Sequence, residues 1–294
     1  MKKIIFLAIF AIFAAACSND YETDKHVNNQ AVPVRVHVTG FSVDQEDFPS
    51  TKATGVADYT GVNAITLAFY KGDGTEVEKI TQLKADGTTY TTFGDFACSL
   101  PMGTYTMVVV AYTTKDESPF VLTSPTAAAF TGLHAYETFV NTQEVVISNT
   151  AALDISATLD RVIAQLKVVS TDGKTADVTN VRMTFSAGGK SFNPSTGLAT
   201  VNTGFVNTVG NSASVGAPST SSTMLFLATD EQNINVTIET LDADGNTLIS
   251  KTIEDVPFQR NKVTILTGKM YTNDALSGSF LVNTDWLTDA NVGF

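Results

Sequence analysis

Hydrophobic and polar positions alternate with a period of two along most of the chain. In the first such run Val32, Val34, Val36 and Val38 alternate with other residues, a pattern typical of a strand with one buried face. Pro33 favours the edge or the start of a sheet for this strand, because proline cannot donate a backbone hydrogen bond. Similar runs predict further strands at residues 64–70, 104–112, 144–147, 155–159, 162–169, 181–185, 224–228, 234–240, 248–253, 263–266 and 279–282.

Helical periodicity is weak beyond the first 30 residues. The nearest helical candidate is residues 126–136, which contain three consecutive alanines, and we expect at most one or two turns there. Asp-Gly pairs at 73–74, 86–87, 172–173 and 244–245 separate extended runs and suit the positive φ angles of tight hairpin turns. The sequence therefore predicts an all-β protein made of antiparallel meanders.

Residues 148–154 interrupt the strand pattern with polar and small side chains, and a new set of strands begins at Ile155. We expect the domain boundary there, which divides the chain into residues 31–150 and 151–294. The second part contains a long Gly/Ser-rich insertion at residues 186–223. Its composition fits either a flexible surface insertion or a set of short edge hairpins.

The first residues have the pattern of an export signal. Two lysines precede an apolar run that is too short for a permanent membrane span, so residues 1–16 are predicted to be a signal peptide. The sequence Ala14-Ala15-Ala16-Cys17 resembles a bacterial lipobox, although the lipobox prefers Leu where Ala14 stands. This implies that Cys17 is acylated and that residues 17–30 form a polar, lipidated tether at the surface of the outer membrane. A plain secretory signal with an unmodified Cys17 is the alternative.

Charge and composition limit the classes of function. The 294 residues carry a formal net charge of −12 at pH 7, which disfavours nucleic acid and anionic lipid as partners. Membrane contact would therefore come from the lipid. With Cys17 acylated, only Cys98 remains, so we expect no intrachain disulfide and a small, buried, unreactive Cys98.

Motifs of catalysis are missing from the sequence. His26, His37 and His134 lie far apart, with no spacing typical of a metal site, and neither a GxSxG motif nor a P-loop is present. We expect His37 on the wet face of its strand. The sequence predicts no enzymatic activity, no cofactor and no metal.

One segment resembles a known family. Leu159-Asp160-Arg161-Val162-Ile163-Ala164-Gln165-Leu166-Lys167-Val168 is similar to the L-x-R-x-x-A-x-L-x-V strand that opens the C-terminal domain of fimbrillin-like pilins. These pilins are the Mfa/Fim-type lipoprotein subunits of type V pili. Further residues agree with the family in order along the chain. They are Thr51-Lys52-Ala53, Arg260, Asn261, Thr264, Gly268, Tyr271, the run Phe280-Leu281-Val282 and Trp286.

The resemblance implies two tandem transthyretin-like β-sandwich domains, export as a lipoprotein and assembly with other subunits into cell-surface fimbriae. In that family an Arg-specific protease cuts after the first strand, the strand leaves, and the groove accepts a strand from the next subunit. Here the released strand would carry Val32, Val34, Val36 and Val38. The tail at residues 276–294 is long enough to act as a donor strand.

The expected cleavage position departs from the family pattern. Lys52 stands where the family commonly has arginine, and an ammonium does not replace the planar guanidinium. Arg35 is the other candidate, but it lies inside the predicted strand. A subunit that keeps both strand and lipid would suit an anchor or terminal position better than a repeating stalk position.

A second function fits the same sequence. A surface lipoprotein of two sandwiches could bind glycan or host protein through residues 186–223. Such a binding module needs exposed aromatic side chains, and Phe192 and Phe205 are the two in that segment.

Overall fold

The computed structural model describes residues 31–42, 56, 59–85 and 92–272, together with the backbone of residues 281–283. These residues form strands, turns and connections without a helix, which confirms the all-β prediction. The strands are β1 (Val32–Ser42), β2 (Ala64–Tyr70), β3 (Glu76–Leu83), β4 (Asp95–Leu100), β5 (Gly103–Tyr112), β6 (Phe120–Ser124), β7 (Ala127–Phe130), β8 (Thr138–Ile147), β9 (Leu153–Arg161), β10 (Ala164–Ser170), β11 (Asn180–Phe185), β12 (Ser191–Asn193), β13 (Leu198–Ala199), β14 (Phe205–Gly210), β15 (Thr220–Leu225), β16 (Glu231–Leu241), β17 (Thr247–Gln259), β18 (Val263–Gly268) and β19 (Leu281–Asn283).

Seven strands form the N-terminal sheet, in the order β3-β2-β5-β8-β9-β1-β4. Its neighbouring strands are antiparallel except β1 and β9, which are parallel. Val34 of β1 and Leu67 of β2 lie in one buried cluster although several strands separate them in the sheet order. The sheet therefore folds over on itself and encloses the first core as a β-sandwich.

Two four-stranded sheets form the C-terminal sandwich, with the orders β15-β10-β18-β19 and β14-β11-β16-β17. Leu166 and Leu266 from the first sheet meet Met183 and Val236 from the second in a separate buried cluster. Alternating inward positions on both sheets supply this core, as the period-two pattern predicts.

A fourth, small sheet has the order β13-β12-β7-β6. It combines β6 and β7 with β12 and β13, which come from opposite sides of the predicted domain boundary. Tyr70 and Val110 of the N-terminal sheet pack with Phe130 and Phe192 of this sheet in a third buried cluster. The small sheet thus joins the two halves of the chain, and the tandem arrangement of two domains stays a prediction.

Two details of the predicted organisation are wrong. The helical candidate at residues 126–136 contains β7, a strand of small residues that pairs with β6 and β12. The boundary at residue 150 also falls too early. The strand β9 belongs to the N-terminal sheet because Ala157 and Leu159 fill its core, and the chain changes sheets between Arg161 and Ala164. Residues 186–223 form short strands, β12, β13 and β14, and the start of β15.

The predicted Asp-Gly turns do not all join neighbouring strands of one sheet. Gly74 and Gly245, at φ of 83° and 84°, lie in the turns that join β2 to β3 and β16 to β17, as predicted. The pair at 86–87 lies outside the described residues. The pair that begins at Asp172 joins β10 to β11, which are in different sheets, and so forms no hairpin. Asp172 instead accepts backbone hydrogen bonds from Met270 and Tyr271, at 2.7 and 2.9 Å.

Candidate functional site

The first strand is hydrogen-bonded on both sides. It runs antiparallel to β4 at the sheet edge and parallel to β9 on its other side. Val34 lies opposite Cys98 on one neighbour and opposite Leu153 on the other. A strand in this position contributes two backbone ladders, and its removal would leave a slot one strand wide.

The side chains of β1 alternate as predicted. Val32, Val34, Val36 and Val38 are all buried in the first core. Each buried valine contributes on the order of 1.5 kcal/mol or more relative to an exposed one. The slot that β1 fills is therefore lined by apolar side chains.

An aromatic contact extends the slot beyond the valines. A register shift between Val38 and Gly40 precedes Phe41, which is fully buried. The Phe41 ring centroid lies 4.5 Å from that of Phe139 and 5.1 Å from that of Tyr59. The buried valines occupy even-numbered positions, whereas the bulge turns the odd-numbered Phe41 to the same inner face. The alternating pattern did not predict this.

Arg161 lies at the end of β9 and is buried, with 3% of its side chain exposed. Its Nη2 lies 2.7 Å from Oε1 of Glu137 and donates to the Tyr59 hydroxyl at 2.8 Å. Tyr59 in turn donates to Glu137. Burial of the Tyr59 hydroxyl raises its pKa well above its usual value, so this group stays protonated.

The two halves of the family motif meet at this arginine. Arg161 Nη1 donates to Oδ1 of Asn261 at 3.2 Å. Asn261 has a positive φ of 61°, and its backbone N–H donates to the carbonyl of Ile163 at 3.0 Å. The turn between β17 and β18 is thereby tied to the point where the chain leaves the N-terminal sheet.

The motif at residues 159–168 does not form one strand. It ends β9 at Arg161 and starts β10 at Ala164, which is fully buried. Val162 and Ile163 between them are buried in the third cluster. The segment is a crossing between two sheets, and it lies near the gap between the strands predicted at residues 155–159 and 162–169.

The other motif residues in the described part of the chain make contacts of their own. Arg260 pairs with Asp230 at 2.8 Å, Gly268 ends β18, and the buried Tyr271 accepts a hydrogen bond from Asn211 at 2.7 Å. Trp286 lies outside the described residues.

Of the two candidate cleavage positions, only Arg35 lies in the described residues. It is exposed at the middle of β1, opposite Ala97 and Asp154. Ladders on both sides hold its backbone extended, which opposes the bending that a protease requires. Lys52 and the lipidation candidate Cys17 lie outside the described part of the chain.

Cys98 is half-buried on the inner side of β4. Burial, with a smaller contribution from Glu78, raises the pKa of the thiol to about 11. The thiolate is the nucleophilic form, so Cys98 is poorly reactive at neutral pH, as its predicted hydrophobic role requires. His37, on the outer side of β1, has an exposed side chain with Nδ1 2.9 Å from Oδ1 of Asp95.

The insertion does not present the aromatic surface that a binding module needs. Phe192 is fully buried, and its ring stacks on that of Phe226 at a centroid distance of 4.4 Å. Phe205 is half-buried against Phe185 at 4.9 Å. Phe192 therefore lacks the exposure that a binding module requires, because β12 pairs with β7 and this ring packs in the third cluster.

A polar cleft of about 580 Å³ lies beside Arg161 and Arg260. Its lining includes Asn141, Asp160 and Thr196, without an aromatic side chain. Within the described residues, no cluster of three or more His, Cys, Asp and Glu side chains could hold a metal ion. That part of the chain also contains no helix of the length and apolar character needed to cross a membrane.

The family is decided by a match over residues 28–290, nearly the whole chain. The chain belongs to DUF6562, a family of unknown function. No curated protein matches this DUF6562 chain.

Solved structures share the fold of the DUF6562 chain. A candidate polysaccharide-binding protein from Bacteroides thetaiotaomicron has a TM-score of 0.54 at 10% identity, over 87% of this chain and 96% of that one. A candidate adhesin from Bacteroides ovatus has a TM-score of 0.51 at 11% identity, over 87% and 95%. The fimbrial anchor protein Mfa2 from Porphyromonas gingivalis has a TM-score of 0.50 at 12% identity, over 86% and 95%. At the level of the fold, the resemblance to fimbrillin-like proteins is confirmed.

Proposed function

We propose that this chain is a structural subunit of cell-surface fimbriae, in a stalk, accessory or anchor position, and that it contributes to adhesion. The observation that carries the proposal is the position of β1, hydrogen-bonded between β4 and β9 with its four valines buried. The fold shared with the Mfa2 anchor protein supports it. The role is structural rather than enzymatic.

Assembly would proceed by strand exchange. Once β1 leaves, its slot offers an antiparallel ladder on β4 and a parallel ladder on β9, and an extended donor running in the direction of β1 would regain both. Backbone hydrogen bonds supply affinity and alternating side chains supply register. The donor would place apolar side chains at alternate positions, where the four valines of β1 lie, and a further one at the position of Phe41.

The partners in this proposal are other fimbrial subunits, which form a homopolymer or a heteropolymer. A candidate donor is the tail at residues 276–294, in which β19 (Leu281–Asn283) pairs with β18 at the edge of its sheet. An edge strand with one neighbour leaves its sheet at lower cost than a central strand. Ligands on host or bacterial surfaces are the further partners that an adhesive fimbria would contact.

The membrane attachment is part of the proposal. Residues 1–16 would be removed as a signal peptide, and a lipid on Cys17 would hold the subunit at the outer face of the outer membrane. If Lys52 stays uncut, the chain keeps both β1 and its lipid, which suits an anchor. If it is cut, the subunit is freed for a stalk.

Electron microscopy and denaturing gels of the protein, with and without limited trypsin cleavage near Lys52, test this function. We expect filaments and ladders resistant to mild denaturant only after the cut, and neither with Lys52→Ala under the same treatment. Cut protein that stays monomeric would contradict strand exchange. Mass spectrometry of surface material that finds only intact chains beginning at Cys17 would contradict the processed-stalk version.

A further inference from the structure

The two walls of the β1 slot are held in different ways. On one side, β9 pairs with β8 through Phe139 and Val140 and continues covalently from Arg161 into the C-terminal sandwich. On the other side lies β4, whose strand partner in the described residues is β1. This inference rests on the proposed strand exchange. When β1 leaves, β4 loses that strand partner and needs another contact to stay in place.

Gln82 of β3 bridges to the start of β4. Its Nε2 donates to the carbonyl of Asp95 at 2.6 Å, and its Oε1 accepts from the N–H of Gly94 at 2.8 Å. Gln82 is 1% exposed, so water does not compete for these bonds. One carboxamide thus connects β3 and β4, the two ends of the seven-stranded order.

The backbone conformation of Gly94 allows this contact. Its φ is +96°, and an added Cβ would lie 3.1 Å from Cγ1 of Val56. Its carbonyl accepts from the N–H of Val38 at 3.0 Å, while its N–H points to Gln82. The bond to β1 is lost on exchange, whereas the two bonds to Gln82 do not involve β1.

We propose that Gln82 is a positioning residue for strand exchange, which holds β4 against β3 when β1 has left and keeps the slot open for the incoming strand. The apolar side chains of Phe96 and Leu100 remain in the core, but they do not fix the separation of the β4 backbone from β9. The Gln82 carboxamide fixes that separation at the end of β4 where Asp95 lies. While the Gln82 hydrogen bonds hold β4, the empty slot keeps its width. Without these bonds, β4 moves into the slot or detaches from the sheet.

The test uses the full chain with a protease site introduced between Ser42 and Tyr59. After cutting, β1 is displaced in mild denaturant, and the uptake of a fluorescent peptide of residues 31–42 is followed. Gln82→Leu keeps the bulk but removes both hydrogen bonds, and we expect uptake to slow about tenfold or more, the scale of one net hydrogen bond. Gln143→Leu on β8, half-exposed in the same sheet, is the matched control and should retain the wild-type rate.

Each result decides one of the two proposals. Wild-type uptake in Gln82→Leu overturns the role of Gln82 while leaving strand exchange intact. A cut wild-type chain that neither releases β1 nor takes up peptide overturns strand exchange itself, and this inference with it. If Gln82→Leu does not fold, hydrogen exchange on the strand-free wild-type chain decides. The Gly94 amide should stay protected at least about tenfold, and exchange at the unprotected rate would overturn the inference.

Discussion

Arg161 and Asn261 lie 100 residues apart, and Nη1 of the arginine donates to Oδ1 of the asparagine at 3.2 Å. The same guanidinium lies 2.7 Å from the Glu137 carboxylate, with 3% of the arginine side chain and 14% of the glutamate side chain exposed. This network connects the end of the N-terminal sheet to the β17–β18 turn of the C-terminal sandwich. It brings together two of the residues on which the resemblance to fimbrillin-like pilins rests.

Arg161→Gln should lower the free energy of unfolding by about 3 kcal/mol or more, because it removes a guanidinium that is 3% exposed and bonds to Glu137, Tyr59 and Asn261. Urea unfolding followed by circular dichroism measures the change. The control is Arg182→Gln, whose ion pair with Glu239 is partly exposed, with an expected loss of about 1 kcal/mol or less. Equal losses in the two variants would show that the Arg161 network does not hold the halves together.

Phe192→Ala should destabilise the protein by about 3 to 5 kcal/mol, because it leaves a cavity in the third cluster between the small sheet and the N-terminal sheet. Guanidinium unfolding measures this loss. Phe205→Ala, at a half-buried ring, should cost less. If Phe192→Ala instead abolished glycan capture without changing the unfolding midpoint, the burial of this ring would be contradicted and the binding module favoured.

The stability of the protein should depend on pH through the carboxyl group of Asp172. Burial alone would raise its pKa, but hydrogen bonds from Met270, Tyr271 and Thr272 outweigh this and hold the pKa below its usual value. A carboxyl with a lowered folded pKa stabilises the protein fully above its unfolded pKa of about 4, and this stabilisation is lost as the pH falls through the folded value.

Asp172→Asn should therefore be less stable than the wild type near neutral pH, with a difference that shrinks as the pH falls below about 4. Thermal unfolding across this range measures it. Asp177→Asn, exposed in the same connection, is the control and should follow the wild type. A difference between Asp172→Asn and the wild type that is constant with pH would show that the loss does not come from the ionised carboxylate.

The strands with strict alternation were predictable from the sequence, and Val32, Val34, Val36 and Val38 show why. Each faces one core, so burial and sequence pattern have the same period. The alanines of β7 were not predictable, because small side chains suit either a helix or a strand. Their pairing with Phe192 of β12 depends on a contact more than 60 residues away.

The candidate site was partly predictable. The motif indicated Arg161 and Asn261, but no local pattern indicates that Tyr59 and Glu137 complete their network. No sequence pattern marks Gln82 as a functional residue. Its role depends on the sheet folding over so that β3 approaches β4, which only the three-dimensional structure shows.

The central claim is that β1 must leave its slot for subunits to assemble, and a reversible lock on β1 tests it. Val34 lies directly opposite Cys98 on antiparallel strands. Such pairs have Cα separations of about 4.5 to 5.5 Å, within the range of a disulfide. In a Cys17→Ser background, Val34→Cys refolded under oxidising conditions would therefore tie β1 to β4. Val36→Cys, opposite Phe96, cannot form this bond and is the matched control.

The decisive measurement is filament formation by the locked chain after cleavage near Lys52, followed by electron microscopy and denaturing gels. Mass spectrometry first verifies the disulfide between position 34 and Cys98. The account predicts no filaments while the disulfide is intact, and filaments once a reductant opens it. Assembly of the locked, cut chain at the rate of the Val36→Cys control would contradict the account.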